Sequence, residues 1–176
     1  MKILITDDSE SVREMLGMLI KDWGYQPVFA KDGEEAWSIL IDDSPPRVAM
    51  VDWMMPRMDG LDLCKKIKTS PNLPFFYVVL ITAKSSVEDV ITGLEAGADD
   101  FLSKPVSPEE LRSRLEVGAR ILGYQDKIFA DAHKLEMEIA ERKHIEERMN
   151  AYRKELEQSN DEKSRLLEEI KDLKKG

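Results

Sequence analysis

One cysteine, Cys64, stands in a chain of 176 residues. That excludes an intramolecular disulfide and any metal site built from several thiolates. There are only two histidines, His133 and His144, both amid charged residues where surface or seam positions are expected. No apolar run approaches the length of a membrane span, and no leader-type segment precedes Lys2-Ile3-Leu4-Ile5. The expectation is a cytoplasmic protein without a membrane partner. Positive charge is also in deficit, with 26 Lys and Arg against 35 Asp and Glu, a formal net charge of −9. This argues against nonspecific nucleic-acid binding, which needs clustered cations. Proline is missing after Pro108, and beyond it only Gly118 and Gly123 interrupt good helix formers before the terminal Gly176.

What is present is 42% hydrophobic, enough for one core. Short apolar runs predict five strands: Lys2 to Thr6, Gln26 to Ala30, Arg47 to Val51, Phe76 to Ile81 and Asp100 to Ser103. Pro27 suits a strand start. Helical spacing predicts a helix capped by Ser9 and ended by Gly24, with Val12, Met15, Leu16, Leu19 and Ile20 as its apolar face. Further helices are expected over 34–42, 61–68, where Cys64 lies with Leu61 and Ile67 as a core residue, and 86–95, stopped by Gly97. Strands alternating with helices are the signature of a doubly wound α/β sheet.

Polar residues gather where these strands end. Asp7 and Asp8 follow the first strand, Asp52 the third, Thr82 the fourth and Lys104 the fifth. In an open parallel sheet, ligands collect beyond the carboxyl ends of the strands. Converging carboxylates repel without a cation, and Mg²⁺, a hard ion that takes oxygen ligands and keeps waters, suits them. An Asp52 oxygen beside the metal could attack a phosphoryl group. Mg²⁺, Lys104 and the Thr82 hydroxyl would then stabilise the added oxygens. Taken singly, each residue has an ordinary explanation, such as a helix start for Asp7 and Asp8 or a surface position for Lys104. Their joint arrangement at one sheet edge outweighs these.

Asp7-Asp8, Asp52 within Asp-Trp-Met-Met-Pro-Arg-Met-Asp-Gly, Thr82-Ala83 and Lys104-Pro105, in this order, resemble a response-regulator receiver domain of two-component signalling. The resemblance covers residues 1 to about 122. It implies a flavodoxin-like, five-stranded parallel sheet in the order 2-1-3-4-5, and a cis Lys104–Pro105 bond. It implies that Asp52 accepts phosphate from a cognate histidine kinase or phosphotransfer protein. It further implies that Asp8, Asp52 and the Met54 backbone carbonyl ligate Mg²⁺, with Asp7 helping, and that Thr82 and Lys104 contact the phosphoryl group. Phe101 matches the family's switch aromatic, where tyrosine is frequent; it moves inward when Thr82 shifts. No enzyme activity is implied beyond transfer to Asp52 and slow autodephosphorylation. Met54 and Lys84, each two residues past a site residue, flank the path of attacking water, and a long-lived phospho-form is expected.

The remainder reads as a helix. Ser107-Pro108-Glu109-Glu110 is a start signal with serine cap, proline and a glutamate three residues on. Continuous to Lys175, the helix would be about 100 Å long at roughly 1.5 Å per residue, too long to pack wholly on a small domain. Ile121, Gln125, Ile128, Ala132, Leu135 and Ile139 step by fours and threes. Met149, Tyr152, Leu156, Ser159, Lys163, Leu166, Ile170 and Leu173 do likewise. Both are coiled-coil seams, separated by a stutter-like break near Arg142 to Ile145. The expected division is a receiver over 1–122 and a coiled-coil helix over 123–176, forming a parallel homodimer. Such a helix would relay the switch to an output domain beyond this chain. The competing expectations are a stand-alone adaptor whose coil binds a partner protein, and a phosphorelay intermediate whose coil only dimerises.

Overall fold

The computed structural model describes residues 1–71, 73–84 and 86–173. Lys175 and Gly176, at the end of the expected helix, lie outside them. Five strands, β1 (Lys2–Thr6), β2 (Gln26–Ala30), β3 (Val48–Asp52), β4 (Tyr77–Thr82) and β5 (Asp100–Ser103), alternate with α1 (Glu10–Asp22), α2 (Gly33–Leu40), α3 (Gly60–Lys68), α4 (Val87–Glu95) and α5 (Pro108–Leu173). All pairings are parallel and the strand order is β2-β1-β3-β4-β5. The fold is flavodoxin-like, as the resemblance implies. The differences from the sequence expectation are small: β3 and β4 each begin and end one residue later, and α2 ends two residues earlier.

The central strands are apolar up to their carboxyl ends because both their faces are covered. Alternation along each strand sorts the core into two layers. Leu4, Ala49, Val51, Val78 and Leu80 face one way, with Ala36, Leu40, Leu63, Cys64 and Ile67 from α2 and α3. Ile3, Ile5, Val48, Met50, Val79 and Ile81 face the other, with Leu16 and Ile20 of α1 and Leu111, Leu115 and Leu122 of α5. Burial pushes the Cys64 thiol up to about 12, helped by the nearby charge of Asp99, so this cysteine is packing material and not a nucleophile.

Two helix starts depart from expectation. Ser9 occupies the cap position of α1, but its hydroxyl meets Ser11 (3.0 Å) and makes no cap bond. Its N–H instead donates to Asp7 Oδ1 (2.9 Å), so the acidic residue two positions earlier organises the turn. At α5 the Ser107 hydroxyl accepts the Glu110 N–H (3.3 Å) but donates to Glu109 Oε2 (2.8 Å), so Glu109 supplies the returning carboxylate. A full reciprocal box occurs at Ser86 and Asp89 on α4, where aspartate replaces the usual glutamate.

The chain divides into two compact units, Met1–Asp126 and Lys127–Gly176. Within the first, the Arg47 guanidinium donates to the Phe75 carbonyl (3.0 Å) and pairs with Asp126. Ile121, the first residue of the expected seam, packs against the second core layer. In the second unit, Ile128, Leu135, Ile139, Met149, Tyr152, Leu156, Leu166 and Ile170 are all exposed. His133 and His144 are exposed too.

Gly118, which weakens α5 in propensity terms, has a packing reason. A Cβ built there would lie 2.3 Å from Tyr77 Cδ1. The Tyr77 ring fills the notch, while its hydroxyl donates to Asp100 Oδ2 (3.2 Å), which Arg114 also approaches (3.3 Å). Gly118→Ala should therefore destabilise the fold. Better helix propensity returns about 1 kcal/mol, against roughly 1–3 kcal/mol for overpacking. Gly118→Val, lacking most of that propensity gain, should be clearly worse, and urea unfolding of the two variants checks the order.

Candidate functional site

Register brings the site together. Thr6 pairs with Val51, Asp52 with Ile81, and Thr82 with Ser103. Asp7 and Lys104 are each the next residue past a paired strand end, so they flank Asp52 at the carboxyl edge. Close packing maintains this edge. A Cβ on Gly60 would lie 2.3 Å from the Asp52 carbonyl oxygen, and the Gly60 N–H donates to the Trp53 carbonyl (2.9 Å). Only glycine allows the start of α3 to press on the end of β3 this closely.

Oxygens of Asp7, Asp8 and Asp52 lie within 4.8 Å of one another. Asp7 and Asp52 are buried, Asp8 is exposed. Lys104 Nζ donates to Asp7 Oδ2 (2.7 Å) and stands 3.2 Å from Asp52 Oδ1. Burial is the largest influence on Asp52 and raises its carboxyl above the ordinary range. Lys104 pulls it down and Asp7 pushes it up, with a net upward shift. For Lys104 burial works against the charge, but the hydrogen bond to Asp7 and the charges of Asp52 and Asp7 overcome it and raise the ammonium. The Lys104–Pro105 bond is cis.

The structure brings Asp7, Asp8, Asp52 and Lys104 into one cluster. Thr82 is buried at the end of β4, and its hydroxyl accepts the Lys84 N–H (3.2 Å). The Lys84 ammonium itself sits over the Trp53 ring, 4.3 Å from its centroid. Met54 directs a largely exposed side chain outward from the loop after Asp52. Phe101 is not in the cluster. It pairs with Leu80, two residues before Thr82, and its ring lies against Gly93 of α4, where a Cβ would be 3.3 Å from it.

Sequence reading missed Arg13. Its guanidinium donates to the Asp7 carbonyl (2.8 Å) and the Asp8 carbonyl (3.2 Å), steadying the acidic turn from α1. A polar residue inside the first helical turns after Asp7-Asp8 is the one available signal for Arg13, and it is a weak one.

Residues 3–116 match the family model described as the response regulator receiver domain. The chain belongs to this family. The receiver is 36% identical over 127 residues to chemotaxis protein CheY1 of Helicobacter pylori, a match covering 72% of this chain and 100% of that protein. It is 42% identical over 114 residues to the probable transcriptional regulator ycf27 of Porphyridium aerugineum, covering 65% of this chain and 46% of that one. Response regulator MprA of Mycolicibacterium vanbaalenii is 42% identical over 115 residues, with 65% of this chain and 48% of that one covered. The chain thus spans about half the length of these two regulators. Among solved structures, a Francisella response regulator receiver domain superposes with a TM-score of 0.62 at 34% identity, covering 69% of this chain and 98% of that one. The signal receiver domain of a histidine kinase from Syntrophus aciditrophicus gives 0.60 at 37%, covering 65% and 86%.

Receiver domains are signalling modules that work with histidine kinases or phosphotransfer proteins and bind Mg²⁺ at an acidic pocket. Asp7, Asp8 and Asp52 make such a pocket here, and three clustered oxygen donors fit a hard divalent cation. Among the described residues no helix is long and apolar enough to cross a membrane.

The raised carboxyl of Asp52 gives a pH prediction. A folded-state value above the ordinary 3.8 means the folded chain holds its proton longer than the unfolded chain. The contribution of Asp52 to stability is then most favourable below 3.8 and falls as pH rises to the elevated folded value, and the penalty persists above it. Asp52→Asn, neutral throughout, should be more stable than wild type at neutral pH without metal. The difference should shrink as pH falls through that window. Denaturant melts across the acid range check both points.

Proposed function

We propose that the chain is the phosphoacceptor and relay portion of a two-component signalling protein. An Asp52 oxygen attacks the phosphorus of a phosphohistidine on a cognate histidine kinase or phosphotransfer protein. The P–N bond breaks as the P–O bond forms, and the imidazole leaves as a neutral base once protonated. Asp8, Asp52 and the Met54 carbonyl, with Asp7 helping, would hold Mg²⁺, which would neutralise charge on the phosphoryl oxygens. Lys104 moves its ammonium from the two carboxylates to a phosphoryl oxygen. The Thr82 hydroxyl donates to another, since its hydrogen is left free while its oxygen accepts from Lys84. Phe101 then follows Thr82 and alters the face made by α4, β5 and α5. The observation that carries this reading is the single Lys104 ammonium held between Asp7 and Asp52.

With acetyl phosphate and Mg²⁺, the protein should gain one phosphoryl group by mass, and Asp52→Asn none. Lys104→Ala should still be labelled but lose the downstream response. The label should persist for many minutes to hours, because exposed Met54 cannot orient a water and Lys84 is engaged by Trp53. Loss within seconds would contradict this.

The helix is the relay. Residues 1–122 act as receiver and 123–176 as a parallel homodimeric coiled coil leading to an output domain or partner protein. The exposed apolar stripe from Ile128 to Ile170 supports this, since a second copy is the simplest means of covering a seam with coiled-coil spacing. Gln125, Ser159 and Lys163 weaken the seam, so the dimer is of modest stability and its register can respond to phosphorylation. Sedimentation should find a dimer, and Leu156→Glu should yield monomers that keep the receiver's melting transition. A monomeric wild type at tens of micromolar would overturn the relay.

A further inference from the structure

We propose that Arg57 and Asp32 form a clasp that positions the loop after Asp52 for metal binding, which makes Arg57 a positioning residue for the divalent cation. Among the described residues Arg57 is the only non-glycine with positive φ, at 67°. The Met58 N–H donates to the Pro56 carbonyl (2.9 Å), closing a three-residue γ-turn around Arg57 in its less favourable hand. Backbone of this kind persists only where its surroundings over-determine it.

The surroundings do so at three points. The Arg57 guanidinium pairs with Asp32 Oδ2, which has no other donor among the described residues. Asp32 is fully buried, and its other oxygen accepts the Glu34 N–H (3.0 Å) and the Glu35 N–H (2.9 Å) at the start of α2. The Gly33 N–H donates to the Met58 carbonyl (3.2 Å), and the Gly60 N–H ties down the Trp53 carbonyl. A buried carboxylate needs a compensating charge, and Arg57, reaching across 25 positions of sequence, is the cation paired with it.

Met54, Met55 and Pro56 run between these ties. A strand positions the Asp52 side chain, but the direction of the Met54 carbonyl depends on loop dihedrals alone. Releasing Arg57 unties the γ-turn from α2 and leaves the peptide units next to it free to swing. Groups that orient metal ligands without touching the metal matter to affinity about as much as many ligands do.

This inference rests on the Mg²⁺ reading of the pocket, and the test separates the two. Mg²⁺ alone is titrated into the full chain, with calorimetry as readout, for wild type, Arg57→Gly, Asp32→Asn and the double variant. Arg57→Gly accepts the positive φ and removes the guanidinium with the rest of the side chain; Asp32→Asn keeps an acceptor for α2. Each single variant should bind Mg²⁺ about tenfold more weakly, and the double variant no more weakly than either, the mark of one shared interaction. In metal-free protein, amide exchange at Gly33 and Met58 should quicken in Arg57→Gly, a change a remote surface residue would not produce. If Asp32→Asn fails to fold, Arg57→Gly decides the question by itself. Wild-type affinity in a folded Arg57→Gly overturns the clasp and leaves the pocket standing. No Mg²⁺ binding by wild type overturns the pocket and the clasp with it.

Discussion

Three carboxylates whose oxygens lie within 4.8 Å are the constraint on which the molecule depends. At an effective dielectric of about 20, two unit charges roughly 5 Å apart repel by about 3 kcal/mol. That repulsion is sustained because Asp52 ends β3 and Asp7 and Asp8 directly follow β1, two strands buried by the core on both faces. Lys104 offsets part of it in the resting receiver, and a divalent cation would offset more. The shift of Asp52 upward, despite Lys104, shows that desolvation and Asp7 prevail over one neighbouring ammonium. A pocket in this condition favours any change that brings positive charge or redistributes the negative charge, and a bound divalent cation would do the first.

Around that pocket the supports are mostly short and mostly backbone. Arg13 grips two carbonyls of the acidic turn, Gly60 lets α3 press on β3, and Arg57 holds the intervening loop to α2. Lys84 links the two loops that a phosphoryl group would touch, through its N–H on Thr82 and its ammonium on Trp53. On α4, Gly93 seats the Phe101 ring, while Val87, Ile91 and Leu94 are exposed.

Much of this was legible in the order of residues. Strand ends announced themselves as apolar runs breaking into Asp7-Asp8, Asp52, Thr82 and Lys104, because both-face burial leaves no polar residue inside the strand and concentrates polar residues beyond it. Boundaries were less legible, since helix ends depend on which group caps them. Ser9 had the right identity and position, yet Asp7 took its N–H. Glu110 stood at the usual capping distance, yet Glu109 closed the turn. Arg57 and Asp32 gave no sign of each other: an ion pair between loops 25 residues apart has no local period. Gly118 read as a weakness in a helix, where the tertiary structure made it a seat for Tyr77.

Sequence by itself determined the fold class, the residues of the pocket and the existence of a long helix with a seven-residue stripe. These follow from periodicity and from residue chemistry, which are local properties. Only the tertiary structure decided which charges meet. Lys104 reaches Asp7 across 97 positions, Arg57 reaches Asp32, and Phe101 lies on α4 rather than in the cluster. Parallel pairing is what converts separation along the chain into contact, and the strength of each pairing depends on burial, which no stretch of sequence carries alone.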